Sequence, residues 1–245
     1  MFGAHEPAPG ELRFPLFGIP VRIHPFFWLS GLFLGYLWNG GLAENLVWMV
    51  AFFVGILLHE LGHALAIRAY GFDPWIVLYG LGGLACYEPR FYGRRRGPEW
   101  LRQVLISAAG PGAGFLLAAA IVGLLTALGR NVELRFGGWP PASLLLDAPD
   151  VNVHMVQLVN DLLYVTVAYG ILNLLPIHPL DGGQIARAVA VRLDPAQGLR
   201  RSLILSFALA VLMAVLAVLR FGSVFSAVLF AMLAYLNYEE LQRGC

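Results

Sequence analysis

The sequence His59-Glu60-Leu61-Gly62-His63 interrupts a run of apolar residues, and this constrains the chain more than any other feature. It follows Leu46–Leu58, which carries no charge, and it continues into Ala64–Ile67. On a helix, residues i and i+4 share a face, so the two imidazoles stand one turn apart with a carboxylate beside them. That pattern offers two ligands for Zn²⁺ and a candidate general base. An ionisable group at bilayer depth costs about 2.5–3.5 kcal/mol even on lenient insertion scales, so three of them in one apolar helix mark a functional site. The fold must surround this face with protein.

Composition agrees with a membrane location. Of the 245 residues, 59% are hydrophobic and 13% charged, and the mean hydropathy is +0.72. Soluble domains carry about 25% charged residues. The length suits one membrane domain spanning 1–245. The net charge of +1 says little about partners, but no basic cluster has the aromatic interleaving of a nucleic-acid surface, so no nucleic-acid partner is expected. The two cysteines, Cys86 and Cys245, exclude a disulfide scaffold and read as a packing residue and a tail residue. Segment 1–22 is polar and rich in Pro and Gly. It lacks the basic and apolar regions of a cleaved signal, so the first span is expected to act as its own insertion signal.

Six spans are predicted, at Pro25–Trp38, Leu46–Tyr70, Leu101–Leu128, Val153–Leu175, Ser202–Leu219 and Gly222–Tyr238, with Val21–His24 available to extend the short first one. The predicted class is therefore an all-α polytopic membrane protein in the lipid bilayer. The segment 72–88 is apolar but broken by Pro and Gly. β-prone residues on both sides of Gly80-Leu81-Gly82-Gly83 predict a re-entrant, membrane-associated β-hairpin between the second and third spans. Open strand edges cannot face lipid, so this hairpin must lie against protein or line a wet cavity. Arg90, Arg94, Arg95, Arg96 and Arg102 precede the third span, and Arg187, Arg192, Arg200 and Arg201 lie between the fourth and fifth. Loop 39–45 has no Arg, and loop 130–152 has only Arg130 and Arg135. The positive-inside rule then places both termini in the cytoplasm, loop 130–152 outside, and the histidines in the cytoplasmic half of their helix. Trp28, Trp38, Trp48 and Trp100 fall at span ends and suit an interfacial aromatic belt.

A catalytic zinc usually takes three protein ligands and keeps a position open. The preferred third ligand is Asp181, in the segment from Asn173 to Gly183 at the cytoplasmic end of the fourth span. Pro176 and Pro179 break helical hydrogen bonding there, and Gly182-Gly183 permits a tight turn. His178, three residues earlier, is a rival ligand. His24 reads as a capped or interfacial histidine, with a gating or proton role as its alternative, and His154 as interfacial. Asp161, with Asn160, reads as interhelical bonding or a water-facing site near the outer surface.

These two motifs resemble those of the site-2 proteases, intramembrane zinc metallopeptidases with HExxH on one transmembrane helix and Asn-x-x-Pro-x-x-x-Leu-Asp-Gly on a later one. Here the second motif runs Asn173, Pro176, Leu180, Asp181, Gly182. The resemblance implies one Zn²⁺ per chain held by His59, His63 and Asp181, and Glu60 as general base. It implies Asn173 near the metal as a substrate or oxyanion ligand. It also implies a transmembrane protein substrate cut in or near its span, in regulated intramembrane proteolysis at the cell membrane. The family's Gly-Pro-x-x-Asn element departs here: Gly110-Pro111 matches, but Gly114 stands at the Asn position and instead predicts close helix packing. No PDZ or CBS module is present in the sequence, so the chain looks like the bare catalytic core. A metal-ion transporter and an inactive, partner-binding homologue are the alternatives. The first needs no Glu beside His, and the second leaves the filled metal and base positions without a purpose.

Overall fold

The computed structural model describes residues 9–38, 41–87, 98–136, 142–146, 148 and 150–243. Arg90, Arg94, Arg95, Arg96 and Cys245 lie outside them. Two strands open the described chain, β1 (Leu12–Leu16) and β2 (Ile19–Ile23). Helices α1 (Pro25–Trp38) and α2 (Leu42–Ala69) follow, then β3 (Pro74–Tyr79), β4 (Gly82–Tyr87) and α3 (Glu99–Ala127). Next come β5 (Val132–Phe136), β6 (Ala142–Leu146) and helices α4 (Val153–Asn173), α5 (Asp181–Leu193), α6 (Gly198–Leu219) and α7 (Val224–Arg243).

Five helices, α2, α3, α4, α6 and α7, are long and apolar enough to cross a membrane. Each coincides with a predicted span. The predicted first span is the 14-residue α1; at 1.5 Å per residue it covers about 21 Å, short of the roughly 30 Å hydrocarbon core. Pro111 lies inside α3, where it is fully buried. Neighbouring helices make such a proline tolerable at membrane depth.

The predicted hairpin forms, with β3 and β4 antiparallel from Pro74↔Tyr87 to Tyr79↔Gly82. It is half of a larger sheet, in the order β1-β2-β3-β4, with β2 parallel to β3. The expectation that Val21–His24 extends the first helix is therefore corrected: Val21, Arg22 and Ile23 pair with Ile76, Val77 and Leu78. Alternation explains this. Ile19, Val21 and Ile23 face inward and are fully buried, while Pro20 is exposed and Arg22 half-buried and bonded to Glu11. Ser30 of α1 donates to Gly80 O at 2.5 Å and fixes the hairpin turn against that helix. Loop 130–152 contains the antiparallel pair β5–β6.

The main core joins the inner face of β2 and β3 to α1, α2 and α4 through Ile19, Val21, Ile23, Phe27, Phe52, Ile56, Ile76 and Leu78. Trp48 belongs to it, buried and donating Nε1–H to Gly31 O at 3.1 Å, so this tryptophan is a core residue rather than part of an aromatic belt. A second core joins Ile177, just ahead of Asp181, to α6 and α7. Arg102 is also buried, its guanidinium 5.4 Å from the Phe72 ring centroid.

Polar residues of α4 brace other elements. Asn160 accepts from Leu146 N at 2.6 Å and donates to Leu146 O at 3.1 Å, holding β6 to the helix. Gln157 donates to Glu44 O and to Asp161, which ties α4 to the start of α2. Asn160→Leu leaves both Leu146 backbone groups without this partner. It should lower thermal stability in detergent by about 1–3 kcal/mol and leave metal binding intact, as measured by unfolding and metal titration on the same sample.

Candidate metal centre

His59, Glu60 and His63 are buried on α2 at 3%, 3% and 7% exposure, as their apolar surroundings require, and Asp181 is buried to 7%. The chain reaches Asp181 through a break. Helix α4 ends at Asn173, the backbone turns through Pro176 and Pro179, and Asp181 is the first residue of α5. A carboxylate in a first turn also faces the positive end of the helix. Gly182 and Gly183 are required here. A Cβ on Gly182 would sit 2.1 Å from Leu174 O, and one on Gly183 2.3 Å from His178 N.

Three donor atoms converge. His59 Nε2 lies 3.1 Å from Asp181 Oδ2, His63 Nε2 lies 3.3 Å from the same oxygen, and the two Nε2 atoms are 3.2 Å apart. Donors held 2.0–2.1 Å from a tetrahedral zinc are separated by about 3.3–3.4 Å, so the triangle has the size such an ion needs. The tautomer fits too. His63 Nδ1–H donates to Ile106 O at 2.7 Å, which leaves Nε2 as a lone-pair donor facing the cluster. Two imidazoles and one carboxylate are the donor set of a catalytic zinc with an open position. Among the described residues this is the one cluster of three or more such groups able to hold a metal.

The site opens into a cavity of about 280 Å³, lined by the three donors, Glu60 and Asn173, by Gln103, Ser107 and Gln184, and by Gly83–Ala85 of β4. The hairpin lies directly on Glu60. A Cβ on Gly83 would be 2.4 Å from Glu60 Cγ and 2.8 Å from its Cδ. Asn173 reaches the cavity, though its amide donates to Tyr169 O at 2.9 Å. His178 turns away, with Nε2 3.5 Å from Glu240 Oε2, so it is no rival to Asp181. His24 Nδ1 accepts from Phe26 N as a helix cap, and His154 lies in the first turn of α4.

Tyr169 is a site residue that the motifs do not reveal. Its ring stands edge-on to His59, centroids 4.7 Å apart, and a Cβ on Gly82 would come within 2.7 Å of its hydroxyl. The available signal was its position four residues before Asn173, on the same helix face. Gly110 is as specific: a Cβ there would be 2.2 Å from His63 Nε2. The predicted close packing at Gly110 and Gly114 holds. Gly114 approaches Thr166 O on α4, and Gly62 of α2 approaches Ala109 O on α3.

Fold and donor set together define a multi-pass membrane protein with a buried, zinc-sized centre. Residues 47–219 match the model of Peptidase family M50, and the chain belongs to that family. Among curated proteins it is 29% identical over 181 residues to a zinc metalloprotease of Methanocaldococcus jannaschii, covering 72% of this chain and 44% of the relative. It is 25% identical over 172 residues to stage IV sporulation protein FB of Bacillus subtilis, covering 68% of this chain and 46% of the relative. The chain thus spans less than half the length of these relatives. A solved site-2 protease from Methanocaldococcus jannaschii shares the fold, with a TM-score of 0.59 at 20% identity, covering 94% of this chain and 95% of that one.

Gly110→Ala should displace His63 and reduce bound zinc per chain severalfold, while Gly112→Ala, which meets nothing within 4 Å, should leave it unchanged. Elemental analysis of the two purified variants checks this.

Proposed function

We propose that the chain is a zinc endopeptidase that hydrolyses peptide bonds in or near the transmembrane segments of other membrane proteins, with residues 1–245 acting as one domain at the cell membrane. One observation carries the reading: a zinc-sized triangle of donors beside Glu60, buried among membrane-crossing helices. His59, His63 and Asp181 would hold one zinc per chain. When bound, zinc supplies Lewis acidity, making water acidic enough to lose a proton near neutral pH and polarising the scissile carbonyl. Glu60 takes the proton from the attacking water and passes it to the leaving amine. Asn173, after exchanging its bond to Tyr169 O, donates to the developing oxyanion. Gln103, Ser107 and Gln184 give water a polar approach. The arginine distribution supports both termini in the cytoplasm, which makes that approach cytoplasmic. Cleavage in a regulated intramembrane cascade is the corresponding biological role.

The substrate must be extended at its cut, because a helix hides its carbonyls in hydrogen bonds. Strand β4 is an edge strand. Backbone groups of an antiparallel edge strand point alternately to the partner and outward. Leu78 O accepts from His24 N at 2.9 Å and so faces away from β4, which makes Leu78↔Gly83 a non-bonded pair and marks 83, 85 and 87 as outward positions. An extended peptide pairs there by strand addition. An adjoining apolar cavity of about 430 Å³, which shares Tyr169, Asn173 and Leu180 with the site, receives apolar side chains. A transporter needs neither the base nor the strand edge.

Glu60→Gln should lower kcat on a reconstituted transmembrane substrate by about 10²- to 10⁴-fold while zinc content stays at the parent level. A transporter would instead move zinc across vesicles without cleaving, and an inactive homologue would ignore the change. Proline at Ala85 faces outward and spares the β3–β4 ladder. It should raise KM severalfold with zinc retained; an unchanged KM removes strand addition.

A further inference from the structure

The loop 174–180 that delivers Asp181 has no regular structure of its own, and Pro176 and Pro179 lack backbone N–H groups. Ile177 in its middle is fully buried, and a buried backbone polar group left without a partner is costly. The loop bonds itself at Ile177 N to Leu175 O and Leu180 N to Ile177 O, and two helices that contribute no metal ligand hold the groups between. Ser206 of α6 accepts from His178 N at 3.1 Å and donates to Pro176 O at 3.3 Å. Asn237 of α7 donates to His178 O at 2.5 Å, and its amide also donates to Leu233 O at 2.8 Å, one turn back, which fixes the side chain. Both residues are 1% exposed. Ile177, between the two clamped carbonyls, is fully buried against Phe230, Leu233 and Ala234 of α7 and Ala210 of α6. From the other side, Gln184 donates to Pro179 O at 3.3 Å and accepts from Gln103 of α3 at 2.8 Å.

We propose that Ser206 and Asn237 are positioning residues for the third metal ligand: by holding the backbone at 176–178 they set Asp181 Oδ2 against the two imidazoles and so raise the affinity for zinc. This rests on the zinc reading above. The α6–α7 pair then becomes part of the metal site without touching it. A buried Asn with only apolar alternatives around it is otherwise an expensive choice for a helix interior. The arrangement also confines the effect to one ligand, because His59 and His63 sit on α2 and are held by their own helix and by Ile106 O.

The test is zinc titration against a chromophoric chelator, performed on the full chain in detergent, in a double-mutant cycle. Asn237→Leu should weaken zinc binding by about 10- to 100-fold. In an Asp181→Ala background, where only the two imidazoles bind, adding Asn237→Leu should change the affinity less than twofold. Ser206→Ala should give the same pattern and serves if Asn237→Leu does not fold. An equal fold loss with and without Asp181 would overturn the proposal, because a general loosening of the fold acts on all ligands. Parental affinity in folded Asn237→Leu and Ser206→Ala would overturn it too. Failure of the parent chain itself to bind zinc would remove the zinc reading first, and is seen before any variant is made.

Discussion

The meeting of one carboxylate oxygen with two imidazole nitrogens, all within 3.1–3.3 Å of one another below a shell of apolar helices, is the constraint that organises this molecule. The three groups repel or strand one another unless a cation or a proton joins them, and burial amplifies that cost. Every neighbouring element makes room for the cluster or orients it. Gly110 lets α3 pass His63, and Ile106 O fixes that ring. Gly83 lets β4 lie on Glu60. Gly182 and Gly183 let α5 begin against the backbone of the preceding loop.

The membrane sets the second condition, that irregular backbone must find its partners within the protein. This chain carries two irregular pieces beside its site and treats them in different ways. The β3–β4 pair is absorbed into a sheet through β2 and pinned at its turn by Ser30, yet β4 keeps an outer edge where chemistry can use it. The loop before Asp181 has no sheet to join; beside its own turn bonds it is held at Pro176 and His178 by single side chains from α6 and α7. The contrast fits the division of labour proposed above, with one element docking an extended peptide and the other holding a ligand still.

Much of this was legible in the residues. Helices α2, α3, α4, α6 and α7 announce themselves as long apolar runs, and the hairpin as β-prone residues around Gly80–Gly83. The two polar motifs in apolar segments select His59, Glu60, His63 and Asp181, and the structure brings the three donor residues together. What escaped has physical reasons. Strand β2 pairs with β3 across the whole of α1 and α2, and no local pattern reports a nonlocal parallel ladder. Helix α5 is amphipathic, with Arg187 and Arg192, and so does not register as a span. Tyr169 is one of two tyrosines in α4 and Asn237 opens the polar end of α7, where sequence cannot separate a packing aromatic or an end-of-span amide from a residue serving a site. His178 and Asp181 are three residues apart, and only the backbone path through Pro179 shows that they point in different directions.

X-ray absorption at the zinc edge of the metal-loaded chain, compared with Asp181→Ala, tests the central claim most directly. The account predicts one zinc per chain with two imidazole nitrogens and light oxygen donors at about 2.0–2.1 Å, and loss of one oxygen neighbour in the variant. A sulfur neighbour, a single imidazole, or an unchanged shell after removal of Asp181 would contradict it.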